Sequence, residues 1–506
     1  MPTYLTPGVY VEEVDRGTKP IEGVGTAVAA FLGIAEKGPV GKATMVANWT
    51  QFVSTFGGFI PGAYLAHAVY GYFNNGGTLA YVVRVGGEAE GDTPAQPTAA
   101  LTAKGGTATI KALPKPGAPD GVSVDVSAGE DDSFNITVKG GGAEEKYEGL
   151  TLGKGAKNAF DVVNKASKLV VLEELKVSGL SLSDRAPAPG TYPLALPSAT
   201  STAMVPVTPA DYEGDVTERD GLGGLEAVDE ITMILAPDAM AAYQAGVLDM
   251  DGLKAIQLGM IAHCERMGDR VAILDTPPDL NAQQAQEWRM TTAGYDSKYA
   301  ALYYPWINVA DPTPNAPSTT ITIPPSGHMA GIWARNDGER GVHKAPANEV
   351  IRGVISLPIN LTNSEQSVLN PNGVNCLRIF AGRGIRVWGA RTLSSDPSWR
   401  YLNVRRLFNY VEKSIERGTQ WAVFEPNDMD LWAKMRRDVG AFLKNTWREG
   451  ALFGATPEQA YFVKCDIENN PQETRDLGQL IIDVGIAPVK PAEFVIFRIG
   501  QYAPEQ

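Results

Sequence analysis

The stretch that decides the fold is ITMILAP at residues 231–237, together with RVAILD at residues 270–275. Both runs are short and apolar, which is typical of strands buried on both faces of a sheet. Between them, residues 253–267 have the length and the apolar spacing of a helix. Strand, helix and strand in this order predict a βαβ unit with parallel strands.

The same alternation continues on both sides of this unit. It adds a strand at 27–35, a helix at 64–73, a strand at 79–85, a helix at 282–290 and a strand at 300–306. We therefore predict a middle α/β domain with a mostly parallel sheet, formed by residues 21–87 and 211–346.

Between the two parts of this domain, the composition changes abruptly after residue 87. Residues 88–210 are rich in Gly, Thr, Ala and Pro, and they contain the alternating stretches VSVDV (122–126) and FNITV (134–138). One helix is predicted near residues 158–167. From Glu88 to Glu218, eleven Lys and Arg stand against nineteen Asp and Glu, a balance of −8. The pattern predicts an inserted, largely β domain that is exposed and acidic.

Short β-type segments stand near both ends of the chain. They are Val9, Tyr10, Val11, Glu12, Glu13 and Val14, within an arm of residues 1–20, and Phe494, Val495, Ile496, Phe497, Arg498 and Ile499. The second segment closes residues 347–506, which we predict to be an α+β C-terminal domain with two helices. A lone strand cannot satisfy its own backbone groups, so each segment must add to a sheet in this chain or in another. The residues leave both possibilities open.

The bulk composition describes a multidomain globular protein without a general affinity for nucleic acid. The chain has 506 residues, of which 44% are hydrophobic and 20% charged, and one hydrophobic core rarely serves that length. A net charge of −14 argues against nucleic-acid binding. The charge is uneven, since residues 378–448 hold fourteen Lys and Arg against seven Asp and Glu.

Part of this basic charge follows the predicted helices. Leu431, Met435, Val439, Phe442 and Leu443 share one face of the second helix. The basic side chains lie opposite the apolar faces of the two helices: Lys434, Arg437, Lys444 and Arg448 in the second, Arg405 and Lys413 in the first. This pattern predicts either an acidic partner surface or a solvated face, and both readings stay open.

Candidate chemistry in the α/β layer is incomplete. Asp275 ends a Walker B-like strand, but the only tempting phosphate loop, Gly41-Lys42, continues with Ala43 where Ser or Thr is required. Ser326, His328 and Asp337 could form a triad, yet PPSG around the serine predicts a connecting loop and no nucleophile elbow. We predict no catalytic residue and no cofactor.

The histidines and cysteines do not predict a metal site or a disulfide framework. The four histidines are scattered, and the three cysteines, Cys264, Cys376 and Cys465, have no ligand-type spacing. The chain also has no apolar run of membrane-spanning length and no signal-like N-terminus. We therefore expect synthesis in the cytosol and no direct membrane insertion.

Six short motifs stand out along the chain: PGVYVEEV (7–14), NEVIRGV (348–354), IRVWGARTLS (385–394), WRYLNVRRL (399–407), FEPND (424–428) and GIAPVKPAEFVIFRI (485–499). These motifs, in this order, resemble the tail sheath protein family of contractile phage tails and contractile injection systems. The resemblance covers residues 1–86 and 211–506 and leaves out the insertion. A single chain ending in PAEFVIFRI is similar to the sheaths of phage-like injection particles.

The resemblance implies a structural subunit and not an enzyme. Hexameric rings would stack helically around an inner tube, with baseplate and terminal cap proteins as further partners. The C-terminal domain, joined by the N-terminal strand, would face the tube, and the insertion would face outward. The sheath would assemble in the bacterial cytoplasm and contract from a metastable extended state, as part of a phage or a released particle.

The resemblance also implies roles for the residues already named. Val9–Val14 and Phe494–Ile499 would add to sheets of adjacent subunits, on tethers bounded by Gly17, Pro20, Pro488 and Pro491. The six basic side chains of the two helices would face an acidic outer surface of the tube.

Two other functions stay open on the residues. One is an α/β hydrolase or nucleotide-dependent enzyme that uses Asp275 and nearby loops. The other is a surface filament or adhesin subunit built on the insertion, against which the missing export signal argues.

Overall fold

The computed structural model describes residues 20–86, 99–103, 108–115, 118–119, 121–129, 133–153, 155–175, 184–194, 206–313 and 318–498. The predicted arm strand Val9–Val14 and residue Ile499 lie outside this part of the chain. The described residues form two compact units, of which the smaller lies within residues 88–203. None of the helices in these ranges is both long and apolar enough to cross a lipid bilayer.

The strands are β1 Val28–Gly33, β2 Thr44–Val46, β3 Leu79–Arg84, β4 Ala99–Thr102, β5 Ala108–Pro114, β6 Ser123–Ala128, β7 Phe134–Gly140, β8 Ala143–Leu150, β9 Val170–Glu174, β10 Gly190–Pro193, β11 Met233–Leu235, β12 Val271–Asp275, β13 Ala300–Tyr304, β14 Ile307–Ala310, β15 Thr320–Ile323, β16 Val354–Ser356, β17 Val374–Phe380, β18 Gly384–Val387, β19 Tyr461–Lys464 and β20 Asp483–Ile486. The α-helices are α1 Trp49–Phe56, α2 Leu65–Asn74, α3 Ala159–Ala166, α4 Pro209–Glu213, α5 Gly221–Gly224, α6 Pro237–Gln244, α7 Met250–Met267, α8 Ala282–Glu287, α9 Ser326–Arg340, α10 Asn363–Leu369, α11 Leu402–Thr419, α12 Met429–Arg448, α13 Pro457–Ala460 and α14 Gln472–Asp476.

The larger unit is organised around an eight-stranded sheet with the order β18-β17-β13-β12-β11-β1-β3-β2. Its six inner strands run parallel, and β18 and β2 pair antiparallel at the two edges. All residues of β11, β12 and β13 are buried, which explains their uninterrupted apolar sequences. The sequence predicted this mostly parallel layer. The sheet continues past residue 347, because β17 pairs with β13.

Helix α9 contradicts the loop that we expected around Ser326. It starts at Ser326 and is buried as far as Asn336. Two glycines allow α2 to approach its backbone closely: a Cβ on Gly327 would lie 2.4 Å from the Cα of Ala68, and one on Gly331 would lie 2.4 Å from the carbonyl oxygen of Tyr72. Gly327, which helped to suggest a loop, therefore serves helix packing.

The C-terminal part of the larger unit packs α11 and α12 with the hairpin of β19 and β20. The predicted apolar face of α12, Leu431, Met435, Val439, Phe442 and Leu443, is buried throughout. Asp428 caps the start of this helix, accepting a hydrogen bond from the backbone N–H of Leu431 at 2.9 Å.

The smaller unit contains two antiparallel sheets, with strand orders β10-β6-β7-β8 and β4-β5-β9. Strands β6 and β7 and helix α3 lie where the sequence predicted them. Alternate residues of β7, such as Ile136 and Val138, point into a separate core. The alternation that marked the insertion as β thus reflects sheets with one buried face.

Candidate assembly surfaces

The segment after Glu493 exposes an unusual apolar run. Phe494, Val495, Ile496 and Phe497 are between 70% and 82% exposed, and the segment belongs to neither a helix nor a strand. No hydrogen bond anchors residues 494–498 to the rest of the described chain. Four consecutive apolar side chains in water are unfavourable, so this segment needs a surface that covers it.

The hairpin of β19 and β20 offers a sheet with few strands. Tyr461 pairs with Ile486 and Lys464 with Asp483, and no third strand joins the pair within the described ranges. Phe462 is 59% exposed, and its ring covers Gly485, where an added Cβ would lie 2.1 Å from the ring. An exposed hairpin with an apolar face is a template for strand addition.

The connection between β19 and β20 is held by its own side chains. Asn470 donates from Nδ2 to the carbonyl of Ile481 at 2.9 Å, and its Oδ1 accepts the backbone N–H of Ile481 at 2.7 Å. Asn427, before α12, donates to the carbonyl of Gln479 at 2.8 Å. Sequence reasoning did not single out this hairpin, although YFVK (461–464) is a β-type run.

The basic stripe of α12 consists of Lys434, Arg437, Lys444 and Arg448, all exposed. Arg437 donates from Nε to Asp438 at 2.9 Å. No ion pair joins the other three to a carboxylate within the described part of the chain. Positive charge therefore stands largely uncompensated along one side of the helix.

Arg405 is not part of that stripe. Its side chain is 2% exposed, donates from Nε to Asn409 at 2.7 Å, and stacks over the rings of Tyr299 and Trp399 at 4.7 and 4.5 Å. The part of α11 around Arg405 is thus covered by Tyr299 and Trp399. A side chain enclosed in this way cannot face a partner, and we remove it from the predicted tube-facing set.

Lys413 is also engaged within the chain. Its ammonium group lies 3.4 Å from Asp269 and 3.3 Å from Glu416. The pair with Asp269 joins α11 to the loop before β12 and leaves little of the charge for a partner. We therefore remove Lys413 as well.

The two carboxylates considered for catalysis, Asp275 and Asp337, have structural partners. Asp275 is buried at the end of β12 and accepts the backbone N–H of Ser326 at 2.9 Å, which caps the start of α9. Burial raises the pKa of Asp275 to about 7. Asp337 pairs with Arg406. No group of three potential metal ligands occurs in the residues that the structure describes.

Comparison with known proteins identifies relatives of this chain. A family profile for the phage tail sheath protein central domain matches residues 226–393, and one for the phage tail sheath C-terminal domain matches residues 394–501. The tail sheath protein of Burkholderia phage BcepMu is 26% identical over 97% of this chain and 95% of its own length. That of Vibrio phage KVP40 is 28% identical over 34% of this chain, and the match spans 26% of the relative.

Solved structures share the fold across the whole chain. The contracted PVC sheath of an extracellular contractile injection system has 25% identity and a TM-score of 0.60, with 99% of both chains covered. The contracted helical sheath of the anti-feeding prophage has 24% identity and a TM-score of 0.59. These findings define a structural protein of contractile tail-like particles. The chain belongs to the phage tail sheath family.

Proposed function

We propose that this chain polymerises as hexameric rings that stack around an inner tube, and that strands exchanged between copies link the rings. The observation that carries the proposal is the exposed apolar run Phe494–Phe497 in a chain that also exposes the β19–β20 hairpin. A strand of one copy added to the hairpin of the next would cover both surfaces. Such a contact does not close on itself, so it generates a filament.

The N-terminal segment Val9–Val14 is the second proposed linking strand. Each added strand supplies several backbone hydrogen bonds that contribute about 0.5–1.5 kcal/mol each. Alternating side chains would set the register. Links of this kind keep the rings connected while the subunits change their packing.

The four exposed basic residues of α12, Lys434, Arg437, Lys444 and Arg448, are the proposed contact with the tube. A row of positive charge in which only Arg437 has an ion-pair partner among the described residues suits an acidic surface more than an apolar one. By its resemblance to sheath proteins, the small β-rich unit would face outward in the polymer, and baseplate and terminal cap proteins would bound it.

Contraction, in this proposal, is the release of a metastable extended packing into one with larger buried interfaces. Its driving force would come from protein contacts alone, so the role is mechanical and not catalytic. Assembly would take place in the bacterial cytoplasm. An enzymatic alternative would require turnover by the monomer that Asp275→Asn abolishes.

Electron microscopy of the full-length chain, with and without a tube protein, tests the proposal. We expect hollow striated cylinders from the full chain and none from a variant that ends at Glu493. Compact monomers under all assembly conditions would reject the sheath function, whereas cylinders formed by the truncated chain would reject linkage through residues 494–498.

A further inference from the structure

Glu493, the last residue before the exposed apolar run, is held unusually firmly. Its carboxylate accepts hydrogen bonds from Arg391, Nε at 2.9 Å and Nη2 at 2.6 Å, and from Nδ2 of Asn370 at 2.7 Å. The hydroxyl of Tyr401 donates to it at 3.3 Å. The two charged side chains are mostly buried, at 8% and 19% exposure. We call these four residues the latch.

The latch is a mostly buried set of charge-assisted hydrogen bonds and not an exposed surface ion pair. Burial alone would raise the pKa of Glu493, but the hydrogen bonds of Arg391 and Asn370 outweigh it and hold that pKa below its usual range. Arg391 also donates from Nη1 to the carbonyl of Asn370 at 3.2 Å. A bidentate Arg–carboxylate pair is directional, so it fixes the orientation of the chain as well as its position.

The chain is anchored upstream of the latch and free of anchors downstream. The backbone N–H of Val489 donates to Ala451 at 3.2 Å, and Asn403 donates to the carbonyl of Val489 at 3.1 Å. Pro488 forms a bridge with Leu452. The predicted tether boundaries Pro488 and Pro491 therefore lie within the anchored stretch, and the arm departs only after Glu493.

We propose that the latch is a positioning device for strand donation: Glu493, held by Arg391, fixes the point and direction from which residues 494–498 leave the subunit toward a second copy of this chain. This inference rests on the proposed linkage between copies. If the latch opens, the nearest upstream anchor is Val489, and four further residues, 490–493, join the tether. A longer tether lowers the effective concentration of the arm at its target, roughly as the −3/2 power of the tether length. It also no longer fixes the direction in which the arm leaves the subunit.

The test compares the polymerisation of full-length variants by sedimentation. Glu493→Gln removes the charge but keeps the shape, and we expect it to raise the concentration needed for polymer about threefold or more. The double variant Arg391→Glu with Glu493→Arg, which exchanges the two charges, should polymerise at a lower concentration than Glu493→Gln. Glu339→Gln, which removes an exposed carboxylate from the end of α9, is the matched control and should polymerise normally.

A second readout separates positioning from general damage. A peptide of residues 492–506 competes with the arm at its target. It should inhibit Glu493→Gln at a lower concentration than wild type, because the accepting surface is unchanged and the variant's own arm is present there at a lower effective concentration. If Glu493→Gln does not fold, Asn370→Asp tests the latch in its place. This variant puts a second carboxylate next to Glu493, so it should also weaken polymerisation.

Wild-type polymerisation of the latch variants would overturn the inference, provided that the chain ending at Glu493 fails to polymerise. Inhibition of the variant and of wild type at the same peptide concentration would equally contradict a role of the latch in positioning the donor arm. If the chain that ends at Glu493 polymerises normally, the proposed linkage of copies through residues 494–498 is wrong. This outcome rejects the proposed function of the arm and differs from the outcome that rejects only the latch.

Discussion

Arg406 and Asp337 form a bidentate ion pair inside the larger unit, with Nη1–Oδ1 at 2.9 Å and Nη2–Oδ2 at 2.5 Å. Both side chains are 4% exposed. Thr26 donates to the same carboxylate at 2.6 Å and its carbonyl accepts from Arg406 at 3.1 Å. The guanidinium lies 4.8 Å above the ring of Trp333. This pair joins helix α9 of the α/β layer to helix α11 of the C-terminal part.

Asp337→Asn should destabilise the unpolymerised chain by about 3–5 kcal/mol, because it leaves the charge of Arg406 buried without its counterion. Urea unfolding measures the loss. The double variant Asp337→Leu with Arg406→Met should cost much less, since neither charge remains buried. Glu468→Gln, which breaks the exposed pair with Lys464, serves as control and should leave the midpoint unchanged. Equal urea midpoints for Asp337→Asn and this control would show that the buried pair of Arg406 and Asp337 does not stabilise the chain.

Reversal of two charges in the stripe, Lys434→Glu with Lys444→Glu, should weaken assembly on tubes more than assembly of free, contracted sheath. The reason is that only the extended sheath is proposed to hold the tube through these charges. Sedimentation with and without tube protein measures both reactions, and the difference should shrink at high salt. Lys165→Glu with Lys168→Glu, in the smaller unit, is the matched control. Equal effects on both reactions would remove the stripe from the tube contact.

The buried histidines should make stability fall in mild acid. Burial lowers the pKa of His328 to about 4, with a smaller contribution from nearby His67, below the value of 6.5 expected in the unfolded chain. The unfolded state therefore binds the extra proton first. The contribution of His328 is complete above pH 6.5 and is lost as the pH falls toward 4.

His328→Gln tests this dependence. Between pH 6.5 and 4, the free energy of unfolding should fall less steeply in the variant, by up to about 1.4 kcal/mol per pH unit. Urea unfolding at closely spaced pH values gives the two slopes. Parallel slopes would show that His328 keeps an ordinary pKa.

The three cysteines should resist alkylation until the chain unfolds. Cys264, Cys376 and Cys465 are free and buried, and burial raises the pKa of the Cys376 thiol to about 12. Both effects suppress the reactive thiolate. Mass spectrometry after iodoacetamide treatment should find no label on the folded chain and three labels in urea. Rapid labelling of Cys376 without denaturant would be inconsistent with its place in β17.

Elements whose pattern is local were predictable from the sequence. Strand β12 and helix α7 were predicted within three residues of their observed ends. A short apolar run indicates a buried strand and a helical spacing of apolar residues indicates a helix, and both patterns lie within a short stretch of sequence. Helix α9 was missed because the two prolines before it and the glycines within it also suit a turn. The two glycines face α2, and that contact is invisible in a window of a few residues.

The sequence by itself determined the parallel layer, the apolar face of α12 and the family motifs, because these depend on spacing along the chain. Tertiary structure alone decided which charges are available to a partner. Helical period marks Arg405 and Lys434 equally as lying opposite apolar faces, yet Arg405 is buried against Tyr299 and Trp399, whereas the stripe of α12 is exposed. Arg406 and Asp337 lie 69 positions apart, and only packing brings such residues together.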